Sequence, residues 1–169
     1  RFKIVNTRVG HAGGDKIIKA TTRIGAGPLR RFETFGRKQG DETYFILPGV
    51  NLGEAAAHGQ VLINRSRAFL INEVPGEKFA PDEQITMSGG AAVFDPALGP
   101  SGIGRVPGED ADQATRRVLD TPGGVERYAD EMTENADIAG SHAKNRPGKN
   151  GFVVYTFGMQ QVTDLPIER

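Results

Sequence analysis

The sequence predicts a mainly β protein: a small β-barrel or sandwich with an extended N-terminal arm and a short helical insertion. Two observations favour this fold. The 169 residues include 23 Gly and 10 Pro, and both residue types interrupt regular elements, which favours many turns and short segments over a helix bundle. Short runs rich in β-branched and aromatic residues recur between residues 43 and 106, separated by turn residues. That rhythm is typical of small all-β domains.

Residues 1–42 are predicted to form the extended N-terminal arm. Strand-like pieces at 2–5 and 17–24 are separated by the small residues of 11–14, so the segment suits an edge strand or an arm that lies on another surface. Residues 1–50 carry ten basic and four acidic side chains, whereas residues 51–140 carry seven basic and fifteen acidic ones. This asymmetry favours contact between complementary surfaces, although folding could equally mix the charges on one neutral surface.

Residues 43–106 are predicted to form the barrel core. Its expected strands are 43–47, 60–64, 68–74 and 102–106, together with a hairpin in which 84–87 and 91–94 flank Ser88-Gly89-Gly90. Turn residues such as Pro48-Gly49 follow the strands, as expected between short strands.

Residues 107–150 are predicted to form the helical insertion. Residues 151–169 are predicted to form the closing strand, which spans 152–157, and the C-terminal tail. Asp110 and Gln113 have the spacing of a capping box that opens a helix over 111–119. Thr121 and Pro122 indicate the start of a second helix. Its expected apolar face holds Val125, Tyr128, Ala129, Met132 and Ala136.

No catalytic, cofactor-binding or metal-ligating residue is predicted. The chain has no Cys, its three His are isolated, and its four Ser lie outside any nucleophile elbow. Glycine-rich stretches at 25–30 and 102–104 lack the third glycine of a dinucleotide loop. The expectation is therefore a non-enzymatic protein without a cofactor. A small β-rich toxin or effector enzyme resembling ADP-ribosyltransferases is the alternative, although no Ser-Thr-Ser or Glu-x-Glu sequence is present.

Membrane and direct nucleic-acid contacts are not expected. The apolar runs are a few residues long, whereas a membrane helix needs about 20. The basic residues of the first 50 positions are spread mostly singly, and no aromatic RNA-binding motif accompanies them.

The order of segments between residues 49 and 106 resembles the head decoration, or cement, proteins of tailed bacteriophages. The resemblance lies in a small-residue segment, two strands, an entry turn, a hairpin and a Gly-Ile-Gly-like strand, at 49–59, 60–63 with 68–71, 77–86, 89–93 and 103–106. It implies a β-tulip-like barrel on the capsid exterior, assembled in the host cytoplasm. Such a virion protein bridges major capsid subunits, often as a homotrimer. Another phage tail or head assembly subunit is the alternative within this class.

The partner-binding residues expected for that role lie at the end of the arm. They are Arg30, Arg31, Phe32, Phe35, Arg37 and Lys38. The cations would meet acidic shell surfaces, and Phe32 and Phe35 would be buried anchors between them. Burial of these two phenylalanines under the protein's own barrel is the other interpretation.

Overall fold

A computed structural model of the protein describes residues 2–27, 29–70, 86–93, 106–146, 151–155 and 159. The elements are the helices α1 (Phe2–Ala26), α2 (Leu52–Leu70), α3 (Ala111–Asp120) and α4 (Gly124–Lys144), and the strands β1 (Thr34–Gln39), β2 (Glu42–Ile46), β3 (Gly89–Ala91) and β4 (Phe152–Val154). Along the chain they follow the order α1, β1, β2, α2, β3, α3, α4, β4.

The prediction of a mainly β barrel is wrong. In the described residues, helices predominate and the strands form two separate two-stranded sheets, so no closed barrel exists there. Strands β1 and β2 pair antiparallel, and β3 pairs with β4 in parallel. The protein is an α/β protein. The division into segments 1–42, 43–106, 107–150 and 151–169 remains a prediction.

Helix α1 is bent at Gly10, which has φ 70° and ψ 172°. An L side chain rarely adopts this conformation, so glycine is the residue that permits the bend. The bend folds residues 2–9 back along residues 11–26, and a β-carbon at Gly14 would meet the side chains of Asn6 and Phe2. In a straight helix residues 2 and 14 would be about 18 Å apart.

The predicted strands at 2–5 and 17–24 are therefore helical. Val5, Ile17 and Ala20 form a buried cluster against which Phe2 and Val9 pack. The hydroxyls of Thr21 and Thr22 donate to the carbonyls of Ile17 and Ile18, four residues earlier, so these threonines complete their hydrogen bonds within the helix. Packing of one helical face has overridden the strand propensity of the β-branched residues.

Helix α2 replaces the strands predicted at 60–64 and 68–70, while residues 71–74 lie outside the described residues. A capping box opens it. The backbone N–H of Glu54 donates to Asn51 Oδ1 at 3.0 Å, and the backbone N–H of Asn51 donates to Glu54 Oε2 at 2.9 Å. Ala55, Leu62 and Ser66 are buried on one face, in the period of a helix rather than a strand.

The hairpin predicted around Ser88-Gly89-Gly90 is also wrong. Gly89 and Gly90 belong to β3, which pairs in parallel with β4 in the register Gly89↔Phe152 and Gly90↔Val153. The backbone of α4 approaches Gly90 so closely that a β-carbon there would meet the carbonyl oxygen of Ala136. Gly90 gives the helix room to approach the strand, and a β-carbon at Gly89 would instead meet the ring of Phe152 on β4.

The structure confirms the predictions for α3 and for two of the strands. The capping box of Asp110 and Gln113 is confirmed, with both reciprocal hydrogen bonds present. The strand predicted at 43–47 is confirmed as β2, and β4 lies within the strand predicted at 152–157. Residues 156 and 157, the strand at 102–105 and part of the hairpin (84, 85 and 94) lie outside the described residues.

Helix α4 differs from the helix predicted after Thr121. It begins at Gly124, not at Pro122, and continues to Lys144. On the predicted apolar face Tyr128 is buried and Met132 packs beside it, but Val125 is about half exposed. Within the described residues, no helix combines the length and apolar character needed to cross a membrane.

Candidate functional site

A cleft of about 420 Å³ lies between α1 and the turn that joins β1 to β2. Its lining is rich in charged and polar side chains and comprises Phe2, Lys3, Asn6, His11, Asp15, Ile18, Arg37, Gly40 and Asp41. Side chains of both charge signs line it, so a molecule bound there would have to be polar.

The α1 wall of the cleft depends on the bend at Gly10. The bend brings Asn6 of the first segment and Asp15 of the second to the same cleft. Asn6 Oδ1 is buried and accepts no hydrogen bond from the described residues. An unsatisfied buried acceptor costs free energy, so a donor of a bound molecule that reached this oxygen would relieve that cost.

The opposite wall is the β1–β2 turn. Gln39 pairs with Glu42, which leaves Gly40 and Asp41 as the two turn residues, and Gly40 has φ 52°. A positive φ at this position is typical of two-residue hairpins. Arg37 Nε donates to the carbonyl of Gly40 at 2.8 Å. This bond fixes the turn and leaves the Asp41 carboxylate at its tip, in the cleft.

Aromatic packing holds the β1–β2 hairpin against the helices. Phe35 and Phe45 lie opposite each other in the register, with ring centroids 4.8 Å apart. Both rings pack against Gly25 near the end of α1, and Phe45 also contacts His58 of α2 edge-on at 6.3 Å. The distance between Asp41 and the α1 wall is therefore set by side chains that lie outside the cleft.

The structure disperses the six residues predicted to bind a partner. Arg37 lines the cleft, whereas Phe35 packs inside the hairpin. Arg31 lies over the ring of Phe32, with its guanidinium carbon 5.5 Å from the centroid, and Phe32 is 76% exposed. Their role as a partner surface remains a prediction.

Arg30 and Lys38, the other two of these residues, form ion pairs. The backbone N–H of Arg30 donates to the Glu33 carboxylate at 2.7 Å, and its guanidinium donates at 2.6 Å. The backbone hydrogen bond is the larger cause that lowers the pKa of Glu33, and the guanidinium adds to it. Lys38 Nζ donates to Asp137 Oδ2 of α4 at 2.8 Å, and this hydrogen bond raises the pKa of Lys38.

Sequence reasoning missed Asn6, Asp15 and Asp41 as site residues. Asn6 and Asp15 are nine positions apart, and only the bend at Gly10 brings them together. Asp41 could have been found, because the five residues Gln39-Gly40-Asp41-Glu42-Thr43 place two adjacent carboxylates at a glycine turn between two strands. Residues 43–47 were interpreted as a strand without attention to the turn that precedes it.

The signature of a metal site is a set of converging ligand side chains, and the β1–β2 turn carries two acids. In the described part of the chain, no group of three or more His, Cys, Asp or Glu side chains could hold a metal ion. Asp41 and Glu42 offer two carboxylates at one turn. Mg²⁺ is commonly held by one or two carboxylates together with substrate phosphates, and of these two acids Asp41 is the one that lines the cleft.

The family model described as diguanylate cyclase, GGDEF domain, matches residues 1–122. The family's name spells Gly-Gly-Asp-Glu-Phe, and the corresponding residues of this chain are Gln39-Gly40-Asp41-Glu42-Thr43. The turn keeps the second glycine and both acids, and it differs at the first and last positions. We call residues 39–43 the signature turn.

This match overturns the interpretation drawn from residues 49–106. The chain is not a tailed-phage head decoration protein, so the expected major capsid partner, homotrimer and virion location are wrong. The expectation of a non-enzymatic structural protein is wrong too, because the matched family is one of catalytic domains, and the toxin alternative is not supported. The small-residue rhythm reflected the packing of α2 and β3 against neighbouring elements. The match covers residues 1–122 of 169, and the chain belongs to the GGDEF diguanylate cyclase family.

Proposed function

We propose that this chain is a diguanylate cyclase domain that binds GTP in the cleft between α1 and the signature turn. The observation that carries the proposal is the Asp41 carboxylate, which lies in the cleft at the tip of a turn that retains both acids of the family's name. The reaction joins two GTP molecules into cyclic di-GMP and releases two pyrophosphates.

The α1 wall supports recognition of guanine. Guanine presents adjacent N1–H and N2–H donors on one edge, whereas adenine presents one donor and one acceptor there. Asp15 offers a carboxylate, and Asn6 offers a buried carbonyl oxygen that accepts no hydrogen bond from the described residues. Two acceptors on one wall favour the guanine edge over the adenine edge.

The cationic side chains of the cleft support binding of the triphosphate. Lys3 of α1 and Arg37 of β1 both line it. Hydrogen bonds from Lys and Arg to phosphate oxygens are charge-assisted and about twice as strong as neutral ones. Arg37 also holds the turn through the carbonyl of Gly40, so one side chain connects phosphate binding to the position of Asp41.

The formation of each phosphodiester bond gives Asp41 of the signature turn a chemical role. The 3′-hydroxyl of one nucleotide attacks the α-phosphorus of the other, its proton leaves, and the bond to pyrophosphate breaks. Asp41, in the cleft, is placed to accept that proton. A divalent cation that enters with the triphosphate would neutralise charge on the phosphates beside the signature turn.

The two-fold symmetry of the product requires two nucleotides to face each other. In the proposed arrangement each cleft would bind one GTP. A pair of chains related by a two-fold axis would supply both halves of the reaction.

Selective binding of a GTP analogue tests whether the α1 wall recognises guanine. The full chain is titrated calorimetrically with the α,β-methylene analogues of GTP and ATP, which cannot release pyrophosphate. We expect the GTP analogue to bind more tightly, and Asp15→Asn to weaken it about 10- to 100-fold, because a hydrogen bond to a charged group is worth roughly 1.5–3 kcal/mol.

Asp130→Asn is the matched control, since it removes the same charge from an exposed position on α4. It should leave affinity unchanged. Equal affinity for the two analogues, or an Asp15→Asn variant that binds as tightly as the unmodified chain, would contradict the assignment of this wall to guanine.

A further inference from the structure

We infer that Asp137 of α4 is a positioning residue for the signature turn, which it holds through Lys38. The inference rests on the proposed function, because it concerns the geometry of that cleft. It adds a residue beyond the matched residues 1–122 to the machinery of the site.

Lys38 immediately precedes the signature turn. Its neighbour Arg37 is directed to the turn itself, where Nε donates to the carbonyl of Gly40 at 2.8 Å. Lys38 Nζ instead reaches α4, 2.8 Å from Asp137 Oδ2 and 99 residues away in sequence. Consecutive cations therefore hold the end of β1 in two ways, one within the hairpin and one to a separate helix.

Helix α4 is a firm support for this contact. Its backbone around Ala136, Ala139 and Gly140 lies directly against Gly90 of β3. Ala139 is fully buried and clusters with Val153 of β4. Asp137 follows Ala136 directly on α4, so its carboxylate is held in place by the packing of that helix. It in turn holds the ammonium group of Lys38, next to the signature turn.

The expected effect is modest because the pair is exposed. The side chains of Lys38 and Asp137 are 43% and 62% exposed, and ion pairs of this kind contribute about 0.2–1 kcal/mol and weaken with salt. Loss of the pair should therefore shift the equilibrium between the closed and open states of the turn by up to about 5-fold. A small shift at Asp41 still matters, because catalysis requires reacting groups to be held within fractions of an ångström.

The decisive experiment is amide hydrogen exchange of residues 38–43 in the full chain without nucleotide, combined with steady-state kinetics. Asp137→Asn and Lys38→Met should each accelerate exchange in this segment by up to about 5-fold at low salt, and less at 0.5 M salt. The double variant Lys38→Asp with Asp137→Lys should restore slow exchange. Glu134→Gln removes an acid one turn earlier on the same helix and should change nothing.

In the kinetics, Asp137→Asn should raise KM for GTP and lower kcat by similar small factors, and the reversed pair should recover both. Unchanged exchange in Asp137→Asn, or failure of the reversed pair to restore it, would overturn the inference. The exchange measurement needs no activity. If the unmodified chain formed no cyclic di-GMP but the variants showed the expected exchange pattern, the proposed function would be contradicted. The role of Asp137 in holding the signature turn would still be supported.

Discussion

Replacement of Asp41 by asparagine is expected to lower the rate of cyclic di-GMP formation by about 100-fold or more, since a positioned general base contributes roughly 10²–10⁴-fold. The substitution retains the size of the side chain and removes its charge and basicity. Asp41 is exposed at the tip of a two-residue turn, so the free energy of unfolding should change by less than about 0.5 kcal/mol. Product is measured by chromatography with mass detection, and stability by urea denaturation.

Asp120→Asn is the control for this substitution. Asp120 is an exposed acid at the end of α3 and does not line the cleft, so the variant should retain full activity. A chain with Asp41→Asn that turns over at the unmodified rate would show that the chemistry occurs elsewhere.

Replacement of Gly90 by alanine is expected to lower the free energy of unfolding by about 3 kcal/mol, at the upper end of the range for overpacked interiors. The new methyl group would lie 2.8 Å from the backbone carbonyl carbon of Ala139 and closer still to Ala136 and Gly140. These are backbone atoms on the buried face of α4, so relief requires α4 to move away from β3. The cost is measured by urea denaturation monitored by circular dichroism.

Gly140→Ala provides the matched comparison across the same contact. A β-carbon at Gly140 would lie 3.7 Å from the backbone nitrogen of Gly90, an ordinary contact distance. Alanine in a helix interior is favoured over glycine by roughly 0.5–1 kcal/mol, so this variant should be slightly more stable. If the two alanines changed stability equally, the close approach of α4 to Gly90 would be contradicted.

Local hydrogen-bonding signals in the sequence were sufficient to find some elements and were overlooked in others. Asp110 and Gln113 predicted the start of α3, and the structure contains that capping box. The same signal, Asn51 followed by Glu54, opens α2, but the apolar run of residues 60–64 was interpreted as a strand. The helical spacing of Ala55, Leu62 and Ser66 could have decided between the two.

Other features could not be predicted from local patterns because they depend on distant contacts. Gly10 bends α1 only because residues 2–9 find a surface to pack on, and nothing local distinguishes this glycine from a loop glycine. Gly89 and Gly90 resemble hairpin turn residues until Phe152 is known to lie against the first and α4 against the second. The pairing of Lys38 with Asp137 spans 99 residues. The cleft is lined by both parts of a bent helix and by a turn. The α1 wall that we assign to guanine could therefore be found only from the tertiary structure.

The most direct test of the central claim is the identity of the product. The full chain is incubated with GTP and Mg²⁺, and nucleotides and pyrophosphate are quantified over time. The proposed function predicts cyclic di-GMP with two pyrophosphates released per molecule formed, and its disappearance in the Asp41→Asn variant. Unchanged GTP, or conversion to GDP and phosphate without cyclic di-GMP, would contradict the assignment of this cleft as a diguanylate cyclase site.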